Sequence, residues 1–442
     1  MPTPQRFDSI PDDCALLPLD EGGLLVSRSH AVYCRVPAAE VESIERVLRG
    51  ERAVAELGEP LRDRLSRHGF FGPPRPGEDE PPLVQLQLTN ECNLACEYCC
   101  TDSGRPRGAE LGLDRWTDIF ETARRVLGPE TRFAILGGEP LLSPHVLPLA
   151  RKIVDRGHRL TLFTNGMLLV DTNLARAVAE LSARGAEIRV SLAGASAQSC
   201  DVVSGAKRYE GVLQGLEMLA THGGEAVVDL VLTPDNSADT AQSFHVLRRT
   251  VPESFRIALA LLYLGGRERG DHLFGSRREL EGALDLVTFG AGETIAATAP
   301  SPVTFRREAC SCALGDQIAV RSDGALYTCF KLEEQVGHVD RQGFEATLEW
   351  VRANPRPATG YPLCADCVLA TLCGGGCRTE NKLYTGDGGT PVCGPWRVRV
   401  LCELLAEDVA ECLDWPAAHL LAEARARGIE APAALEPLPR PA

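Results

Sequence analysis

Between residues 83 and 262 the hydrophobic pattern switches repeatedly between two periods. Apolar side chains fall at every second position, or in short unbroken runs, over 83–89, 132–136, 159–163, 187–192, 226–233 and 255–262. These stretches read as strands. Between them the apolar positions recur every three to four residues, over 113–127, 145–156, 173–184, 209–222 and 238–250, and read as helices. The first helix carries Leu113, Trp116, Ile119, Phe120, Ala123 and Val126 on one side. Six strands separated by helices demand an α/β fold with parallel strands and right-handed crossovers. Ahead of this series the rhythm is tighter. Strand-like runs at 14–17, 22–26 and 31–36 precede a helix over 38–48, with Val41, Ile44 and Leu48 on one face, and another over 61–68 that closes on Gly69. Pro18 is expected to end the first run, because it cannot donate to a ladder. The order suggests a small winged-helix-like module. Residues 72–82 hold five prolines and three acids and read as a linker.

Composition narrows the class. A chain of 442 residues, 44% hydrophobic and 24% charged, has the material for two to four globular domains. A net charge of −15 argues against nucleic acid or an anionic membrane as partner. No uninterrupted apolar run reaches the ~20 residues that span a bilayer. The opening Met-Pro-Thr-Pro-Gln-Arg lacks a signal-peptide pattern, so a cytoplasmic location is expected. Seventeen cysteines do not fit that location as disulfides. Four fall at 92–100 and eight at 310–393, which points to metal or redox chemistry. Cys14, Cys34, Cys200, Cys402 and Cys412 stand apart and read as buried structural thiols.

The first group follows the strand over 83–89. Cys92, Cys96 and Cys99 are spaced C-x3-C-x2-C, with Tyr98 before the last. Three such cysteines can ligate three irons of a [4Fe–4S] cube and leave the fourth iron open. A zinc site or scattered core cysteines is the alternative. The following strands end in Gly137-Gly138-Glu139-Pro140, Thr164-Asn165-Gly166 and Ser191-Leu192-Ala193-Gly194. The spacing, with Gly-Gly-Glu-Pro at the second strand end, resembles the radical SAM enzymes. That resemblance implies a partial (β/α)6 TIM-type barrel with its chemistry at the C-terminal strand ends. It implies S-adenosylmethionine (SAM) chelated by the open iron and held by Tyr98, Gly137, Gly138, Glu139, Pro140, Asn165 and Ser191. Glu139 would complement the SAM ammonium. Many relatives carry Ser-Leu-Asp-Gly at the fourth strand, so Ala193 is a departure that removes a carboxylate. Lys207 and Arg208 read as solvated surface charges, with pairing to the SAM carboxylate as the alternative.

The second group contains Cys312, then eleven residues, Gly324, four residues and Cys329, followed by Cys364-x2-Cys367-x5-Cys373-x3-Cys377 and Cys393. Asp323-Gly324 is a turn signal, so 320–327 reads as a hairpin. The spacing resembles the SPASM domain, which implies two auxiliary [4Fe–4S] clusters. By that resemblance Cys312, Cys329 and Cys377 would hold one, and Cys364, Cys367, Cys373 and Cys393 the other. Cys310 is the expected fourth ligand of the first, against a free thiol beside an open iron. A pair of structural zinc sites is the alternative. A helix over 396–412 would turn Leu401, Leu404, Leu405 and Val409 inward. The expected division is 1–78, 83–300, 305–415 and a tail from 416 to 442.

The order of the N-terminal module resembles the PqqD-like RiPP recognition element, which binds leader peptides by strand addition. A structural cap on the next domain is the alternative. Together the resemblances imply a maturase that cleaves SAM reductively and abstracts hydrogen from a ribosomal precursor peptide. The product would be a C–C cyclophane or C–S thioether crosslink, with the electron from flavodoxin or ferredoxin. Formylglycine formation, as in anaerobic sulfatase maturases, is a second reading. Against it, Cys329 is followed by Phe330 and Lys331 rather than an acid. Peptide epimerisation, with Cys100 or Cys310 as hydrogen donor, is a third. A non-catalytic, metal-stabilised peptide-binding scaffold is the reading from another class. No general base is singled out by spacing.

Overall fold

The computed structural model describes residues 9–73, 81–262 without 107 and 206, parts of 265–287, 317–354 without 333, 360–391, 395–409 and a few positions from 412 to 429. Strands β1 (Cys14–Leu19), β2 (Gly22–Ser27) and β3 (Val32–Val36) form an antiparallel sheet in that order. Helices α1 (Ala38–Leu48) and α2 (Glu59–Arg67) follow. Pro18 does not end β1: it stands opposite Gly23 within the ladder. β1 is an edge strand, where a missing N–H costs little. Strand alternation gives this sheet two buried faces. Leu25, Val32, Cys34 and Val36 pack with Ile44, Leu61 and Leu65 of the module's own helices. Leu24, Val26, Ala31 and Tyr33 join the main core, which also holds Val400, Leu401, Leu404 and Leu405.

The main sheet has nine strands in the order β12-β11-β10-β4-β5-β6-β7-β8-β9. The six expected strands are β4 (Leu83–Gln87), β5 (Arg132–Leu136), β6 (Leu160–Thr164), β7 (Glu187–Leu192), β8 (Val227–Leu232) and β9 (Arg256–Leu261). Each pairs parallel with the next. Helices α3 (Leu113–Leu127), α4 (Val146–Asp155), α5 (Thr172–Ala183), α6 (Ala197–Ser204), α7 (Tyr209–Thr221) and α8 (Ser237–Thr250) lie between them. Capping is explicit in places. Asp171 caps α5 through the N–H groups of Asn173 and Leu174, and Ser196 with Ser199 forms a capping box on α6.

β10 (Gln317–Val320) pairs parallel with β4, across more than two hundred residues, and β11 (Ala325–Tyr327) and β12 (Gln335–His338) continue antiparallel from it. The 320–327 hairpin expected from Asp323-Gly324 is therefore an extension of the large sheet. Val84, Leu86, Ile135, Leu162, Val190, Leu230 and Leu259 point into the helix-covered core. The alternate positions, among them Gln85, Gln87, Thr161, Phe163, Arg189, Ser191 and Asp229, share the opposite face. α9 (Phe344–Ala353), the four-residue α10 (Ala370–Cys373), α11 (Arg378–Thr385) and α12 (Pro395–Ala406) follow. Among the described residues no helix is long and apolar enough to cross a membrane.

Candidate active site at the carboxyl ends of the strands

The loop after β4 is closed by its own backbone. The N–H of Cys92 donates to Gly104 O at 3.1 Å, and the N–H of Gly104 donates to Asn90 O at 2.9 Å. Inside it the sulfurs receive hydrogen bonds. Leu94 N–H donates to Cys92 Sγ and Ser103 N–H to Cys99 Sγ, both at 3.4 Å, and Thr101 Oγ1 lies 3.3 Å from Cys99 Sγ. Cys96 is buried, and Cys92 and Cys99 are half-buried. Burial pushes the Cys92 thiol up to about 11. Tyr98 stands edge-on to His272, with ring centroids 6.5 Å apart.

The Gly137-Gly138-Glu139-Pro140 turn lies against this loop. Gly138 N–H donates to Thr89 O and Glu139 N–H to Glu91 O, each at 2.8 Å. A Cβ on Gly138 would sit 2.2 Å from Glu91 O, so only glycine allows this approach. Pro140 opens a short 3-10 turn, Pro140–Leu142, capped by Glu139. Glu139 is fully buried and ties three strand ends together. Its Oε1 accepts from Leu141 N–H at 3.0 Å and Thr164 Oγ1 at 2.7 Å, and its Oε2 accepts from Asn165 N–H at 2.7 Å. Burial raises its pKa to about 7, against these hydrogen bonds and the charge of Arg208, which pull it down. The Asn165 side chain donates to Asn93 Oδ1 at 2.7 Å and approaches Cys92 Sγ at 3.9 Å. The structure thus brings Cys92, Glu139 and Asn165 to one place.

At the end of β7, Ser191 is half-buried and Ala193 fully buried. Asn236 donates to the carbonyls of Ala193 and Val231 at 2.7 and 2.8 Å and so joins the ends of β7 and β8. Lys207 is exposed, as expected of a solvated charge. Arg208 is not: it is 3% exposed, donates to Ser191 O and reaches the Cys96 thiol. Its Nε has no hydrogen-bond partner among the described residues. Spacing alone missed this, because a basic pair before a helix looks the same whether it faces water or the sheet.

A second group was not foreseen at all. Gly266, at φ +58°, lies so close to the loop that a Cβ would meet Cys99 O and Asp102 N at 2.5 Å. Arg267 then donates to the loop at several points. The Gly-Gly pair after the sixth strand was the available signal.

In the C-terminal region Cys364, Cys367 and Cys373 line one small apolar cavity with Leu369, Ala370 and Leu401. Gly374, Gly375 and Gly376, at φ +64°, +76° and +75°, carry the chain from Cys373 to Cys377, whose charge adds to burial in raising the pKa of the Cys329 thiol. Cys310, Cys312 and Cys393 lie outside the described residues. Among the described residues no three histidine, cysteine, aspartate or glutamate side chains converge on one metal ion.

Residues 86–246 match the Radical SAM superfamily. The chain is 30% identical over 195 residues to the AdoMet-dependent heme synthase of Methanosarcina barkeri (strain Fusaro / DSM 804), covering 43% of this chain and 53% of that one. It therefore spans about half the length of that relative. It is 24% identical over 356 residues to the PqqA peptide cyclase of Streptomyces rochei, covering 76% of this chain and 95% of that one. Native anSMEcpe with bound AdoMet and Kp18Cys peptide shares the fold, with a TM-score of 0.51 at 17% identity over 78% of this chain and 99% of that one. A radical SAM domain implies SAM and a [4Fe–4S] cluster, and the residues here suit both. Three thiols sit in one loop with N–H groups directed at two of the sulfurs, and a buried guanidinium with a free Nε lies beside Cys96. Residues 86–246 are accordingly a radical SAM domain.

Proposed function

We propose that the chain is a radical SAM peptide maturase that crosslinks a ribosomal precursor peptide through a C–C cyclophane or C–S thioether bond. The observation that carries this reading is similarity along 95% of a peptide cyclase, together with the intact cysteine loop and the Glu139 turn packed on it. In this reading Cys92, Cys96 and Cys99 hold the cluster. When bound, the cluster and SAM supply the electron and the 5′-deoxyadenosyl radical that takes hydrogen from substrate.

The chain's own residues do the rest. Arg208 Nε offers a charge-assisted donor to the SAM carboxylate. The Glu139 carboxylate, satisfied on three sides, keeps a lone pair on Oε2 for an ammonium and holds the ends of β5 and β6 in register. The polar sheet face beyond it carries a bidentate Arg189–Asp229 pair, with Glu187 also bonded to Arg189, and offers the substrate fixed charge rather than water. Crosslinking removes a second electron and a proton from the substrate radical. Cys312, Cys329, Cys377 and Cys310 on one side, and Cys364, Cys367, Cys373 and Cys393 on the other, would hold auxiliary clusters able to take that electron. The N-terminal sheet would bind the leader at an unpaired strand edge.

The test is anaerobic reconstitution of the full chain with iron and sulfide, followed by SAM and a short precursor peptide taken from a neighbouring reading frame. Formation of 5′-deoxyadenosine with loss of a hydrogen pair from the peptide is expected. SAM cleavage with an unchanged peptide, or stoichiometric zinc without a cluster absorbance, would refute the reading.

A further inference from the structure

The turn after β9 packs directly against the cysteine loop. Gly265 and Glu268 pair with each other: Glu268 N–H donates to Gly265 O at 3.0 Å, and Gly265 N–H to Glu268 O at 3.3 Å. Glu268, 1% exposed, stiffens the turn by accepting from Gly270 N–H at 2.7 Å. This rigid turn presents Arg267 to the loop. Its backbone N–H donates to Cys99 O at 2.9 Å. Its Nε donates to Cys96 O at 2.9 Å, and its Nη1 to Ser103 O at 2.7 Å and Asp102 Oδ1 at 3.2 Å. One residue therefore fixes carbonyls at both ends of the segment that carries Cys96 and Cys99. Ser103, gripped through its carbonyl, is the residue whose N–H donates to Cys99 Sγ.

We propose that Arg267 is a positioning residue that holds the N–H···S geometry of the cysteine loop and thereby sets the reduction potential of the cluster bound there. Hydrogen bonds to cluster sulfurs raise the potential, because they stabilise the more negative reduced state. The fork of the guanidinium, rather than its charge, does this. Asp102 already pairs with the charge, and the acceptors are spread over positions that a single ammonium cannot reach together. The inference rests on the radical SAM domain and not on the identity of the substrate.

The experiment is an EPR-monitored redox titration of the reconstituted full chain, following the signal that changes when SAM is added. Wild type, Arg267→Lys and Arg267→Gln are compared at equal iron content. Both variants are expected to keep their iron and to shift the potential negative. The reduced-to-oxidised ratio at a fixed donor poise should fall about tenfold, which is about 59 mV for a one-electron couple. A Lys variant at the wild-type potential would assign the effect to charge and overturn the proposal. So would wild-type potentials in both variants, or loss of iron from both, which would make Arg267 a folding residue only. A wild-type protein with no SAM-responsive signal would overturn the domain assignment itself, so the two failures are distinguishable.

Discussion

The two cysteine groups are held by opposite strategies. Cys92, Cys96 and Cys99 lie within eight residues, on a loop fastened to the carboxyl ends of β4, β5 and β6 and to the turn after β9. Two of the three sulfurs, those of Cys92 and Cys99, already receive N–H donors. Cys364, Cys367 and Cys373 lie on turns and a four-residue helix around a small apolar cavity, and Cys377 follows three successive left-handed glycines. The first group is shaped by a sheet that would stand without it. The second has little regular backbone pairing of its own, so whatever fills it supplies more of its stability. Under the proposed function, cofactor loading should thus tune the first region and fold the second.

The harshest break is Cys96→Ala. It removes one of three thiols while leaving the sheet that frames them, so 5′-deoxyadenosine formation should fall to background and peptide affinity should stay nearly intact. Product analysis alongside peptide titration checks both. A proportional fall in peptide binding would show that the N-terminal module is not the leader site.

Metal removal comes next. On chelation, amide hydrogen exchange over 360–391 should lose about a hundredfold of protection, while β4 to β8 stay within about tenfold. Equal losses in both regions would erase the contrast.

Glu139 gives a smaller effect with a defined sign. Its ordinary pKa of 4.5 is raised to about 7 by burial, so the folded chain binds this proton more tightly than the unfolded chain. Its contribution is fully present below pH 4.5 and is lost as pH rises through 7, a change of about 3 kcal/mol. Urea unfolding of metal-free protein should show that slope, and Glu139→Gln should flatten it. An unchanged slope would place the proton elsewhere.

The same contrast explains what could be read from sequence. Strand and helix periods located all six parallel strands, because alternation and the 3.6-residue period are local. Gly138 and Glu139 were legible as a motif. The pairing of β10 with β4 was not, because nothing local marks which distant strand will sit on an open edge. Pro18 misled because a proline's meaning depends on whether its strand is an edge. Arg208 and Arg267 were hidden for a shared reason: a long cation reads as solvated until the fold supplies buried acceptors. The wiring of the first site comes largely from such long-range contacts, so its residues were more legible than its geometry.

The smallest predicted effect tests where the second region gets its support. The β2–β3 turn of the N-terminal module leans on the segment that carries Cys364, Cys367 and Cys373. Arg28 donates to Ala365 O, Thr371 Oγ1 donates to Arg28 O at 3.1 Å, and Arg399 pairs with Asp20 at 2.8 Å. Thr371→Val keeps the volume and removes one partly buried hydrogen bond, worth about 1 kcal/mol. Hydrogen exchange of residues 27–32 and 365–373 should rise together by several-fold, with SAM cleavage unchanged. If only 27–32 respond, the module is a passenger on the C-terminal region. If both respond, the peptide-binding candidate and the second cysteine group form one cooperative unit, and loading one stabilises the other.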